Sequence, residues 1–127
     1  MLNDNALCEK LLALAKPAIA KAKEGELVIQ LLSENGKSFQ MTMAAKQVET
    51  IPENVEKLML LISEDKVISA LASFWIESNE KYGIVPDAPS EKLLTELLKL
   101  SPKNKDTKVM LRGTDNSYNF RSLESLK

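Results

Sequence analysis

Histidine is absent from the 127 residues of this chain. Imidazole is the side chain best suited to proton transfer near neutral pH and the commonest metal ligand in proteins. Its absence excludes Ser–His and Cys–His nucleophile pairs and every metal site built on imidazole. We therefore predict that the chain is not an enzyme and that it has no catalytic residue, no metal site and no cofactor.

Cysteine is almost absent as well, since Cys8 is the single thiol. One cysteine cannot form an internal disulfide, which fits a reducing cytoplasm. Because Cys8 precedes Leu11 and Leu12 by three and four residues, we expect a buried structural thiol beside an apolar helical stripe. No apolar run approaches the roughly 18 residues that span a bilayer, and the N-terminus lacks a basic region followed by a hydrophobic one. These absences predict a cytoplasmic protein without membrane contact.

Basic residues are scarce over most of the chain and abundant at its end. Residues 1–98 carry 10 basic and 15 acidic side chains, whereas residues 99–127 carry 7 and 3. With 44% hydrophobic and 28% charged residues, the composition is that of one globular domain. We predict a single domain over residues 1–127 with a basic C-terminal hairpin from about residue 104 to 127.

The tripeptide Gly36-Lys37-Ser38 has two interpretations, a phosphate-binding loop or a turn. A phosphate loop needs a glycine five residues earlier, where this chain has Leu31, and a helix afterwards. The alternating segment 38–45 instead predicts a strand, and Asn35-Gly36 is a strong signal for a two-residue hairpin loop after the apolar segment 26–33. That loop sets Leu32 opposite Phe39, so the sequence favours the turn.

Helical periodicity predicts four helices. They are expected at about residues 3–24, 51–62, 66–80 and 90–100, and Pro17 is expected to kink or split the first. The second is ambiguous at its end, where a buried strand is the alternative. The third is the most apolar, because its polar residues fall on one narrow stripe; these are Lys66, Ser69, Ser73, Glu77 and Glu80.

A second hairpin is expected at residues 107–112 and 117–122, with Val109 and Phe120 among its inward residues. The complete order is then α-β-β-α-α-α-β-β. Two antiparallel hairpins can join in one four-stranded sheet packed against helices. The sequence thus predicts the α+β class.

The apolar third helix carries the adjacent aromatics Phe74 and Trp75, which pack either in the core or against a partner. Since catalytic chemistry is missing, we predict a non-catalytic protein-binding module, such as an adaptor, inhibitor, immunity protein or secretion chaperone. Phe74 and Trp75 are its candidate protein interface, and a homo-oligomer is one form that such an interface can take.

The alternative function is binding of RNA or single-stranded DNA by the C-terminal hairpin. Basic residues beside aromatics can contact phosphates and stack on bases, although they also meet acidic proteins or simply solvate a surface. The candidate residues are Lys103, Lys105, Lys108, Arg112, Tyr118 and Arg121. Because the rest of the chain is acidic and repels a phosphate backbone, nucleic acid is the less favoured partner.

Overall fold

The computed structural model of the chain describes residues 4–44, 52–62, 65–76, 84–87, 91–112 and 118–126. Three α-helices and six strands lie within these residues. In chain order they are α1 Asp4–Lys21, β1 Glu26–Ser33, β2 Ser38–Ala44, α2 Pro52–Leu61, β3 Ile68–Ile76, β4 Ile84–Asp87, α3 Glu91–Leu100, β5 Lys108–Arg112 and β6 Tyr118–Ser122. Short 3₁₀ helices, Pro102–Asp106 and Glu124–Leu126, precede β5 and follow β6.

The described strands form one mixed sheet in the order β2-β1-β3-β5-β6. β1 is antiparallel to both of its neighbours, β3 runs parallel to β5, and β4 pairs with the last four residues of β3. Helices combined with a mixed sheet agree with the predicted α+β class. The predicted four-stranded sheet is wrong in detail, because β3 lies between the two hairpins and separates them.

The segment predicted as the third helix is the strand β3. Seven of its nine residues are buried, since β3 is covered on both faces and flanked on both edges. A strand buried on both faces is a nearly continuous apolar run, and periodicity does not distinguish it from a buried helix. The helical spacing of Ser69 and Ser73 was coincidental.

The hydrophobic core has two parts, one on each face of the sheet. On one face α1 packs over Val28, Phe74 and Met110. On the other face α2 and α3 pack over Ile29, Leu71 and Val109. The helix predicted at about residues 90–100 is confirmed as α3, and it packs inward through the buried Leu93, Leu94 and Leu97, with Leu98 packed against the core. Within the described residues, no helix is long and apolar enough to cross a membrane.

The first hairpin is confirmed, but its register is shifted by one residue from the prediction. Leu31 lies opposite Phe39, and the amide of Ser33 donates to the carbonyl of Lys37. The loop therefore has three residues and ends at Gly36, whose φ of +86° favours glycine. Since a one-residue shift exchanges the faces of a strand, Phe39 packs on the α2 and α3 side.

The helix α1 continues through Pro17, so the predicted split is wrong. Proline at this position cannot donate to the helix and crowds the preceding turn. The carbonyl of Leu14 accepts a hydrogen bond of 2.9 Å from Gln40 Nε2 on β2. Gln40 also donates to Oε1 of the fully buried Gln30, at 2.7 Å. This polar bridge joins the helix to the β1–β2 hairpin beside the proline.

The remaining elements lie close to their predicted places. α2 ends at Leu61, so its last turns are helical rather than a strand. The second hairpin forms from β5 and β6, with Val109 fully buried and Phe120 partly buried. The strand β4 is an exception, since no element was predicted between the third and fourth helices.

Candidate functional site

A cleft of about 490 Å³ opens between α1 and one end of the sheet. Its residues come from α1, the β1–β2 turn and the starts of β3 and β5. They are Leu7, Lys10, Leu32, Ser33, Glu34, Gly36, Ser69, Asp106 and Lys108. The size falls within the range of about 300–1,000 Å³ that is usual for small-molecule sites.

An irregularity in strand pairing shapes this cleft. Leu32 pairs with Ala70, but the next residue, Ser33, pairs with Ile68, so Ser69 is left without a partner in the register. Such a bulge re-aims a side chain and ends regular pairing, and bulges are frequent next to functional sites. Ser69 is accordingly exposed in an otherwise buried stretch of β3 and lines the cleft.

The lining combines an apolar floor with a charged rim. Leu7, Leu32 and Ser33 are buried at 6%, 5% and 2% exposure. The buried Ser33 hydroxyl accepts a hydrogen bond of 3.0 Å from the amide of Lys37, which fixes the turn above it. Lys10 and Glu34 are exposed at the rim. A ligand entering the cleft would therefore meet apolar surface below and ionised groups around it.

The four charged residues of the cleft differ in how they are paired. Lys108 Nζ lies 2.7 Å from Asp4 Oδ1 at the start of α1. Within the described residues, Lys10, Glu34 and Asp106 make no ion pair with one another or with other charged groups. Since both partners of the Asp4–Lys108 pair are well exposed, it adds little stability. The ion pair does hold Lys108 at the wall of the cleft, while Lys10, Glu34 and Asp106 remain available to a ligand.

The predicted protein-interface residues separate, because they point to opposite faces of β3. Phe74 is fully buried beneath α1, where no partner can reach it without unfolding. Trp75 is 38% exposed in the single chain, so of the two settings expected for it, core or partner, the core does not enclose it fully. A partner-binding role of Trp75 stays a prediction.

The basic residues predicted as a nucleic-acid or acidic-partner surface lie on three successive elements, the 3₁₀ helix Pro102–Asp106 and the strands β5 and β6, and their role as a binding surface stays a prediction. Lys103 and Lys105 are exposed on the 3₁₀ helix before β5. Lys108 is paired with Asp4 in the cleft. Arg121 is exposed on β6. For Arg112 and Tyr118 only the backbone is described, and the two residues are paired across the β5–β6 ladder.

Comparison with known proteins finds a likeness of fold. No protein-family model matches the chain, and no curated protein matches its sequence. Among solved structures, the chain is similar to a cytidine deaminase from Burkholderia pseudomallei, with a TM-score of 0.57 and 17% sequence identity. The match covers 93% of this chain and 94% of the deaminase. At this identity the likeness shows the fold alone, and that fold is of the cytidine deaminase type.

This likeness overturns two predictions from the sequence. We predicted a non-catalytic protein-binding module, with nucleic-acid binding as the alternative, and we predicted that the chain is not an enzyme. Both predictions are wrong, because the fold is one that an enzyme uses. The error came from reasoning by exclusion. Missing histidine removes particular reactions, and it does not identify the class of protein that remains.

The residues of this chain do not fit the zinc centre of the deaminases. Those enzymes hold Zn²⁺ with one histidine and two cysteines, or with three cysteines. This chain has no histidine and one cysteine. Within the described residues, no group of three or more histidine, cysteine or carboxylate side chains is placed to hold a metal. Burial, followed by the charge of Glu9, raises the pKa of Cys8, which disfavours the thiolate that binds zinc.

We expect the protein purified from zinc-supplemented medium and dialysed without chelator to contain far less than one zinc ion per chain. The reason is that a single protonated thiol cannot supply the three ligands of the deaminase centre. Elemental analysis by plasma mass spectrometry measures the ratio, with Cys8→Ser as the matched control. One zinc ion per chain in the wild type, lost in that variant, would contradict the account.

No sequence pattern pointed directly to the cleft. Its residues come from four separate segments, and Ser69 had been assigned to the polar stripe of a helix. A usable signal was present at Asn35-Gly36, which marks the turn that forms one wall. Only the strand register, which pairs Ser33 with Ile68, brings that turn beside Ser69.

Proposed function

We propose that this chain is a deaminase-fold protein that binds a small polar molecule in the cleft under α1 and does so without a bound zinc ion. The observation that carries the proposal is the cleft, which has the volume of a small-molecule site, a buried apolar floor and three charged residues that make no ion pair within the described part of the chain. The likeness to an enzyme over 93% of the chain supports a ligand-handling role.

The chemistry open to such a cleft is acid–base chemistry. Carboxylates and ammonium groups can accept and donate protons to a bound molecule when they lie within hydrogen-bonding reach. Glu34 and Asp106 supply the carboxylates, and Lys10 supplies the ammonium group. These three side chains are therefore the candidates for proton transfer to a ligand, and within the described residues no metal ligand set accompanies them.

Ligand-induced stabilisation tests the proposal. Nucleosides, amino acids and sugars would be added singly at millimolar concentration while thermal unfolding is followed. A compound at ten times its Kd adds about 1.4 kcal/mol, which raises the Tm of a domain of this size by roughly 4–6 °C. We expect at least one compound to do so with the wild type.

A matched pair of variants on α1 shows whether the ligand-induced increase in Tm arises from binding in the cleft. Lys10→Phe places a large side chain over the apolar floor, whereas Lys16→Phe alters an exposed lysine on the same helix outside the cleft. The Tm increase should disappear in the first variant and persist in the second. The proposal fails if no compound stabilises the wild type, or if both variants respond equally.

A further inference from the structure

We infer that the molecule bound in the cleft is a zwitterion with an apolar body. This inference rests on the proposed function and names the ligand class of the same site. The cleft wall carries charges of both signs, and an apolar floor lies between them.

The cleft is lined by two ammonium groups, Lys10 and Lys108, and by two carboxylates, Glu34 and Asp106. A simple anion would be attracted by the first pair and repelled by the second, and a simple cation would meet the reverse. Opposite charges on one ligand are complementary to a wall that carries both signs.

Lys108 is engaged by Asp4 at 2.7 Å, whereas Lys10 makes no ion pair within the described residues, so Lys10 is the cation best placed to meet an anionic group of the ligand. Glu34 and Asp106 have no cationic partner within the described residues. An ammonium group donates three hydrogen bonds and a carboxylate accepts several, so a ligand carrying both matches unpaired cleft side chains of each sign.

Leu7 and Leu32 present the small part of their side chains that is still exposed as an apolar floor, and apolar surface removed from water contributes about 25 cal/mol per Å². Small polyols and inorganic ions cannot use this surface. Ser69, which the bulge turns into the cleft, offers a neutral hydroxyl between floor and rim.

Three related molecules separate the contributions. L-phenylalanine carries the carboxylate, the ammonium group and an apolar ring; 3-phenylpropionate lacks the ammonium group, and 2-phenylethylamine lacks the carboxylate. Titrations followed by amide NMR shifts give each Kd. We expect phenylalanine to bind at least tenfold more tightly than either of the other two.

Variants assign the two ends of the ligand. Lys10→Met should reduce the affinity for phenylalanine to near that for 2-phenylethylamine, while Lys16→Met leaves it unchanged. Replacing Glu34 by Gln together with Asp106 by Asn should reduce it to near that for 3-phenylpropionate. All of these side chains are exposed, so the variants are expected to fold, which circular dichroism checks.

The results distinguish failure of this inference from failure of the proposed function. Equal binding of phenylalanine and either one-charge analogue overturns the zwitterion. Absence of binding by all three, while another compound from the thermal screen shifts the cleft resonances, also overturns the zwitterion but leaves the cleft as a ligand site. If no compound of any class shifts those resonances, both the inference and the proposed function are wrong.

Discussion

Replacing Asn104 by leucine is expected to lower the free energy of unfolding by about 2–5 kcal/mol. Asn104 is fully buried in the 3₁₀ helix before β5. Its Oδ1 accepts from the amide of Ile68 at 2.8 Å, and its Nδ2 donates to the carbonyls of Lys66 and Leu97 at 2.9 and 2.8 Å. One side chain thereby ties the start of β3 to the end of α3.

The size of the effect follows from the groups that leucine would leave behind. The Ile68 amide and the Lys66 carbonyl would lose the Asn104 side chain, whereas the Leu97 carbonyl keeps the amide of Ser101 at 3.2 Å. Each buried polar group left unpaired costs about 1–3 kcal/mol.

Urea unfolding followed by circular dichroism measures the change. Asn119→Leu on β6 is the matched control, because Asn119 is exposed and a substitution there is expected to stay within about 0.5 kcal/mol. A loss below 1 kcal/mol for Asn104→Leu would show that the three hydrogen bonds do not hold β3 in place. Because Asn104 fixes the strand start that carries Ser69, the same variant should also weaken ligand binding in the cleft.

Replacing Phe74 by alanine is expected to cost about 3–5 kcal/mol, the range for truncating a fully buried aromatic. Phe74 is the largest fully buried side chain among the described residues and lies under α1 with Leu11 and Met110. Alanine would leave a cavity between the helix and the sheet. The helix that covers the cleft is thus held in part by this ring.

The neighbouring Trp75 is the control, since it lies on the opposite face of the same strand and is 38% exposed. Trp75→Ala should cost clearly less than Phe74→Ala, because part of the indole is already in water. Chemical unfolding followed by circular dichroism avoids dependence on the tryptophan signal. Equal costs for the two variants, or a larger cost at Trp75, would mean that the packing described for β3 is wrong.

The sequence predicted those elements whose signals are local. The amphipathic pattern of α3, with Leu93, Leu94 and Leu97 on one face, and the Asn35-Gly36 turn were both confirmed. In these segments the period of the apolar residues differs clearly between helix and strand, or a glycine is required by backbone conformation. Local sequence alone is therefore sufficient to predict the structure of these segments.

β3 could not be predicted correctly because its environment is set by distant segments. It is buried by α1 on one face and by α2 and α3 on the other, so its apolar residues show no strand alternation. The hairpin register failed for a related reason, since Gly36 fits either a two-residue or a three-residue loop. Packing of Phe39 on the α2 and α3 side accompanies the longer loop.

The candidate site could not be predicted from the sequence for the same reason. Lys10, Glu34, Ser69 and Asp106 are far apart in the chain and carry no spacing that marks a motif. Their proximity depends on α1 crossing the sheet at the bulge between Leu32 and Ser33. Missing histidine was visible at once, and its correct use is to exclude a zinc centre of the deaminase type.

The central claim is that the cleft under α1 is where this deaminase-fold protein binds its small-molecule ligand. Two-dimensional amide NMR of the labelled wild-type chain, titrated with the compound that stabilises it most, tests this directly. The account predicts that the largest shifts fall on Leu7, Lys10, Ser33, Gly36 and Ser69, saturate together and vanish in Lys10→Phe. A second, smaller cleft lies beside Pro17 and Thr42. Shifts centred on that cleft, or shifts spread over the chain without saturation, would contradict the claim.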